Sequence, residues 1–175
     1  MSHLRSVASL CVLCNRNLDP LTENYNISFY LSYLARWPEY FFIAQSPSGR
    51  PMGYIMGKAE GRGKDWHGHV TAVTVGSEYR RLGLARQLMH ILETVSESTH
   101  DGYFVDLFVR ASNAVAITMY EGLGYTTYRR VLDYYASDTS VEDALDMRKA
   151  LPRDVNKESI IPLPHPVRPE DINFD

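Results

Sequence analysis

The chain is predicted to be α/β, with a mixed central sheet of about seven strands flanked by about four helices. Three observations lead there. The run Val70-Thr71-Ala72-Val73-Thr74-Val75 reads as a strand, and residues 103–109 form a near-continuous apolar run suited to a sheet interior. Leu84, Leu88, Ile91, Leu92 and Val95 recur at helical spacing between them. A short turn carrying Gly83 joins the first run to that helix.

The elements follow in order. Residues 4–7 read as a first strand and 9–15 as a short helix. Residues 17–24 form a loop in which Pro20 stops helix propagation. A helix over 27–35 is rich in aromatic residues (Phe29, Tyr30, Tyr33) and ends at Pro38. Strands at 40–45 and 51–59 are joined by Ser46-Pro47-Ser48-Gly49, a hairpin turn. Gly61-Arg62-Gly63-Lys64 makes a second turn into a strand at 67–75. A helix over 84–98, a strand at 103–109 and a helix over 114–123, ended by Gly124, come next. Residues 126–135 and 144–150 are the last strands, linked by a polar acidic loop. From Leu151 onward five prolines (152, 162, 164, 166 and 169) mark a change. The domain is therefore expected over 1–150, with an extended tail over 151–175 lying on the domain or on a partner.

Composition limits the function. The chain has 175 residues, 45% hydrophobic and 22% charged, which suits one globular domain with a real core. A net charge of −3 argues against general nucleic-acid binding. No stretch approaches the ~20 apolar residues of a membrane span. The apolar run 6–14 is too short for a secretory signal and lacks a small-residue cleavage site. Cys11 and Cys14 are the only cysteines. No second ligand pair accompanies them, so two reduced thiols on a helical face, no metal and a cytoplasmic location are expected.

Chemistry concentrates at Arg80-Arg81-Leu82-Gly83-Leu84-Ala85. A strand, a tight glycine turn and a helix start point successive backbone N–H groups into one concavity, and the helix dipole adds positive character. Arg80 and Arg81 add charge beside it. Taken alone, the segment fits an anion cradle and a solvated strand–helix turn equally well.

The segment Arg80-x-x-Gly83-x-Ala85 resembles the acyl-CoA loop of the GNAT acetyltransferases. The expected block Asn113-x-x-Ala116-x-x-x-Tyr120-x-x-x-Gly124-Tyr125 follows downstream. Within the GNAT fold, the segments 17–25, 37–40, 53–58, 67–71, 104–110, 134–135 and 159–171 are similar to the catalytic subunits of the N-terminal acetyltransferase B (NatB) complex. The resemblance runs from about Asn17 onward. It departs over 6–16, where the family has a polar, acidic first helix and this chain is apolar.

The resemblance implies transfer of acetyl from acetyl-CoA to the α-amine of proteins starting Met-Asp, Met-Glu, Met-Asn or Met-Gln. It also implies a large helical-repeat auxiliary subunit and nascent N-termini at the ribosome as partners. By this resemblance the cofactor contacts are Val73, Val75, Arg80, Arg81, Gly83, Leu84, Ala85, Asn113 and Tyr120. The Val73 N–H would stabilise the oxyanion and Tyr120 would protonate the departing thiolate. Tyr120 also suits a core-edge aromatic. His69 is either the base or, with Thr71, a hydrogen-bond partner of the substrate's second side chain; a strand histidine also suits a structural role. Glu23 and Tyr25 would hold the amine and flank the methionine, and Tyr134 and Tyr135 would clamp the peptide backbone. The latter pair equally suits ordinary sheet packing. Two other readings stand beside this one. One is a GNAT enzyme acting on lysine or small amines. The other is a cofactor-binding, non-catalytic variant with an atypical first helix.

Overall fold

The computed structural model describes residues 25–136 and 141–172. Among them are three α-helices and six strands: α1 (Ile27–Arg36), β1 (Phe42–Gln45), β2 (Pro51–Glu60), β3 (His67–Val75), α2 (Leu84–Ser98), β4 (Phe104–Arg110), α3 (Ala114–Glu121), β5 (Thr126–Ala136) and β6 (Val141–Ala150). The strands are hydrogen-bonded in the order β1-β2-β3-β4-β6-β5. This is the α/β class predicted. The strand expected at 4–7, the helix at 9–15, Cys11 and Cys14 lie outside the described residues. Two compact units divide the described residues, one made of 25–58 plus Val70–Val95, the other of Ala59–His69 plus 96–136 and 141–172.

In the first unit, α1 begins at Asn26, whose side chain accepts from the Phe29 N–H at 2.9 Å, satisfying one of the helix's orphan donors. Trp37, held before a proline, leaves helical geometry at φ −137°. Pro38–Tyr40 then forms a 3-10 turn, closed by Phe41 N–H donating to the Pro38 carbonyl at 3.3 Å. That turn delays β1 to Phe42, two residues later than its apolar pattern suggests. The β1–β2 hairpin turns at Gly49, where φ is +81°. Gly53 is required by a close approach instead: a Cβ there would meet the Thr74 carbonyl oxygen at 2.6 Å. Tyr30, Phe41, Ile43, Tyr54, Met56 and Ala72 pack into one cluster, with Tyr25, Phe29, Tyr33 and Leu34 against it. Leu88, Met89 and Leu92 form the buried stripe of α2, as its spacing predicts.

In the second unit, β4 pairs antiparallel with β6, from Phe104↔Ala150 to Arg110↔Ala144. β6 pairs antiparallel with β5. The β5 register shifts between Val131 and Tyr135, where Asp133 takes φ +56°. The Asp143 carboxylate accepts from the Asp133 N–H at 3.0 Å and holds this bulge. α3 ends two residues earlier than its apolar pattern suggests. Gly122 caps it, and the Tyr120 carbonyl accepts from Leu123 and Tyr125 N–H groups at 2.9 and 3.1 Å. The proline-rich segment runs beside β5. Leu163 N–H donates to Tyr128 O at 2.8 Å, Val167 N–H to Arg130 O at 3.0 Å and Leu132 N–H to Val167 O at 2.9 Å. These bonds cover an edge that would otherwise present unpaired backbone groups. Ile172 closes the contact against Val131 and Ala144.

Candidate active site

The loop after β3 opens with a 3-10 turn, Ser77–Tyr79, and reaches the start of α2 through two left-handed residues, Arg81 (φ +62°) and Gly83 (φ +77°). For Arg81 that conformation carries a steric cost that glycine avoids. The Gly83 carbonyl accepts from Gln87 N–H at 3.1 Å, so Gly83 stands at the N-cap of α2. The N–H groups of the first helical turn therefore have no partner within the helix. Among the described residues, its two chain neighbours aside, no heavy atom lies within 4 Å of where a Gly83 Cβ would be. Arg80, Arg81 and Leu82 are exposed. Val73 and Val75 are half-buried and alternate with buried Ala72 and Thr74 on β3, so the two valines share the other face. The strand–turn–helix that the sequence suggests is thus formed, at the N-terminus of a 15-residue helix. Leu84 and Ala85 are half-buried.

Also in the first unit, Tyr25 stacks on Phe29 with ring centroids 4.1 Å apart, and Phe29, Tyr33 and Trp37 continue the row along α1. Thr71 donates its hydroxyl to Tyr33 Oη at 3.3 Å. Glu23 lies outside the described residues.

In the second unit, Asn113 caps α3: its Oδ1 accepts from Ala116 N–H at 3.2 Å. Seven residues on, Tyr120 is buried, 8% exposed, with its ring 6.0 Å from that of Tyr125. The polar centre of the unit is a cluster of which sequence reasoning named only His69. His69 Nδ1–H donates to Asp106 Oδ1 at 2.8 Å, and His67 Nδ1–H donates to the Asp65 carbonyl at 2.5 Å. His67 Nε2 lies 3.4 Å from Asp106 Oδ1 and 3.8 Å from Glu60 Oε1. Burial pushes the Asp106 carboxyl up, but the charges and hydrogen bonds of His67 and His69 outweigh it and hold Asp106 well below the usual carboxylate range. Burial likewise disfavours the charged form of His67, and the Asp106 charge outweighs it, leaving the ring above its ordinary value. The signal was present in the sequence: an aspartate within the apolar strand 104–110 has to be paired if it is buried.

Beyond His69, Phe108 sits 5.8 Å from the imidazole and stacks flat on Tyr134, centroids 4.7 Å apart with planes at 7°. Tyr135 donates its hydroxyl to the Phe108 carbonyl at 3.1 Å, and the Arg110 guanidinium lies 4.2 Å above its ring. Thus His69, Tyr134 and Tyr135 are brought together around Phe108, and the bulge at Asp133 lets consecutive tyrosines gather there. Nearby, Asp146, fully buried, takes Arg129 Nε at 2.8 Å and Arg148 Nε at 3.4 Å. Arg129 and Arg148 border an open cleft of about 450 Å³ that Glu60, His67, Asp106 and Phe108 also line.

A strand that passes through a glycine turn into a helix, β3 to α2, in one unit and an antiparallel β4–β6–β5 group in the other are features of an α/β fold. The family profile of the acetyltransferase (GNAT) family matches residues 10–125. The N-terminal acetyltransferase B complex catalytic subunit NAA20 of Arabidopsis thaliana is 62% identical over 159 residues, covering 91% of this chain and 90% of that protein. The crystal structure of Chaetomium thermophilum Naa20 in complex with a bisubstrate analogue superposes with a TM-score of 0.85 at 43% identity, covering 93% of this chain and 94% of that one. A chain of the NatB acetyltransferase complex bound to a bisubstrate inhibitor gives 0.83 at 43% identity, with 97% of each chain covered. The chain belongs to the acetyltransferase (GNAT) family and, within it, to the catalytic subunits of N-terminal acetyltransferase B.

Proposed function

We propose that this chain carries acetyl from acetyl-CoA to the α-amine of proteins that begin Met-Asp, Met-Glu, Met-Asn or Met-Gln. The observation that carries the reading is the pair of left-handed residues, Arg81 and Gly83, that opens α2 and leaves space above Gly83. Arg80, Arg81 and the first-turn N–H groups from Leu84 and Ala85 hold the cofactor's phosphates there. Val73 and Val75 border its pantetheine arm. Asn113 keeps α3 and its Tyr120 in place for the thiol end.

Binding the amine and thioester side by side supplies much of the acceleration. An α-amine has a pKa of about 7.7–8.0, so a good fraction is already neutral near pH 7 and needs only a modest base or a water. The amine nitrogen attacks the thioester carbon, and the Val73 N–H stabilises the oxyanion. As the C–S bond breaks, Tyr120 gives its proton to the sulfur, and the amine's surplus proton leaves through His69 or water. His69 and Thr71, two apart on β3 and so on one face, bond the substrate's second side chain. The Asp106 carboxylate behind His69 Nδ1 leaves Nε2 as the atom that meets substrate. Tyr25 and Glu23 serve the methionine and its amine, and Tyr134 and Tyr135 serve the peptide backbone.

NatB relatives and complexes support an auxiliary subunit as partner; we propose that it is a large helical-repeat protein that presents the enzyme to nascent chains at ribosomes in the cytoplasm. Among the described residues no helix is long and apolar enough to cross a membrane. The test is an acetylation assay on short peptides that differ only at position two, with an internal-lysine peptide alongside. Fast turnover of Met-Asp and little of Met-Leu or lysine is expected. Equal rates for Met-Asp and Met-Leu would overturn the specificity, and a preference for lysine would replace the reaction.

A further inference from the structure

We propose that Glu60, His67, His69 and Asp106 form a site for a divalent metal ion of the zinc class, and that the bound ion inhibits the enzyme. The cluster lies wholly within the second unit. One ligand atom from each of Glu60, His67 and His69 falls within 4.8 Å of the others. His67 Nε2 and His69 Nδ1 are each 3.8 Å from Glu60 Oε1, and lie 3.4 and 2.8 Å from Asp106 Oδ1. Tetrahedral zinc, with bonds of about 2.0–2.2 Å, places its ligand atoms about 3.3 Å apart. The four ligand–carboxylate spacings of 2.8 to 3.8 Å bracket that value.

A second observation points to a cation. His67 is 9% exposed, and its Nε2 makes no hydrogen bond. Its Nδ1–H is committed to the Asp65 carbonyl, so Nε2 is the atom that faces the two carboxylates, holding a proton when the ring is charged and a lone pair when it is neutral. Three electron-rich atoms that converge away from water repel one another unless a proton or a metal ion sits among them. A backbone carbonyl bound to the far nitrogen is also how metal-ligating histidines are oriented. His69 would coordinate through Nδ1 as its Nε2–H tautomer, losing the present Nδ1 proton to solvent when the ion enters. Two carboxylates match the charge of a divalent ion. The neighbouring cations do not oppose it, because Arg129 and Arg148 are both held by Asp146. The open cleft lined by Glu60, His67 and Asp106 gives the entry path.

Acetyl transfer itself needs no metal, and drawing His69 Nδ1 from Asp106 into the shell of the ion shifts the ring and with it the Nε2 that meets substrate, so the ion acts as an inhibitor rather than a cofactor. The inhibitory half of the proposal rests on the substrate-binding role given to His69; the binding half does not. The test uses the full chain titrated with zinc chloride by calorimetry, and with cobalt(II) read by its visible absorption. One equivalent should bind, with the intense bands of a four-coordinate site. His67→Gln and Glu60→Gln should each weaken binding at least about 10-fold while keeping the far-UV circular dichroism of the parent. In the peptide assay zinc should raise KM for a Met-Asp peptide without changing KM for acetyl-CoA. No saturable binding, or equal affinity in either folded variant, overturns the site and shows that His67 Nε2 carries a proton instead. Stoichiometric binding with unchanged peptide kinetics overturns the inhibition and the groove role of His69 together, while leaving the metal site in place. Loss of acetylation on every peptide, with cobalt bands present, faults the proposed reaction and not the site.

Discussion

The ring of Tyr134 lies flat on that of Phe108, and Phe108 in turn meets the His69 imidazole at 5.8 Å. A late-strand tyrosine is thus coupled through one aromatic plate to the histidine of β3. Tyr134→Ala should remove a stacking interaction worth about 0.5–1.5 kcal/mol, read as a lower urea midpoint. It should also raise KM for a Met-Asp peptide more than it lowers kcat. Tyr134→Phe keeps the plate and should stay near the parent in both readouts. A Tyr134→Ala enzyme with parental peptide KM would remove Tyr134 from the groove.

Two glycines should separate stability from cofactor affinity. Gly53→Ala drives a Cβ into the Thr74 carbonyl at 2.6 Å and should cost about 1–3 kcal/mol in chemical denaturation. Gly83→Ala meets no atom but forces a side chain to φ +77°, at about 1–2 kcal/mol. If the loop is the phosphate cradle, Gly83→Ala weakens acetyl-CoA binding measured by calorimetry, whereas folded Gly53→Ala protein does not.

Removing the Tyr120 hydroxyl tests the proton donor. Tyr120→Phe preserves the buried ring against Tyr125 and should leave KM for acetyl-CoA nearly unchanged. A positioned general acid contributes about 100- to 10,000-fold, so kcat should fall within that range. A parental kcat would make Tyr120 a packing residue.

The turn that starts the proline-rich segment should be acid-labile. Asp154 is buried and accepts from the Glu158 and Ser159 N–H groups at 3.0 and 2.9 Å. Burial pushes its carboxyl up, but the Ser159 and Glu158 hydrogen bonds outweigh this and hold it below the ordinary value. A depressed folded-state pKa contributes stability above the unfolded value of about 3.9, and that stability is lost as pH falls through the folded value. Asp154→Asn should therefore be less stable than the parent at pH 6–7, and the gap between their urea midpoints should narrow below about pH 4. A pH-independent gap would show that Asp154 acts without its charge.

Local patterns alone determined much of this protein. The α2 stripe of Leu88 and Leu92, the hairpin turn at Gly49 and the strand–turn–helix around Gly83 are visible in the sequence because helical periodicity and left-handed glycine act over a few residues. Tertiary structure alone decided what stands beside what. His69 meets Asp106 across 37 positions of sequence, the bulge at Asp133 gathers Tyr134 and Tyr135 around Phe108, and the 163–167 segment lies along β5. Those pairings depend on strand register and on which edge is left unpaired, and neither is written in the spacing of neighbouring residues.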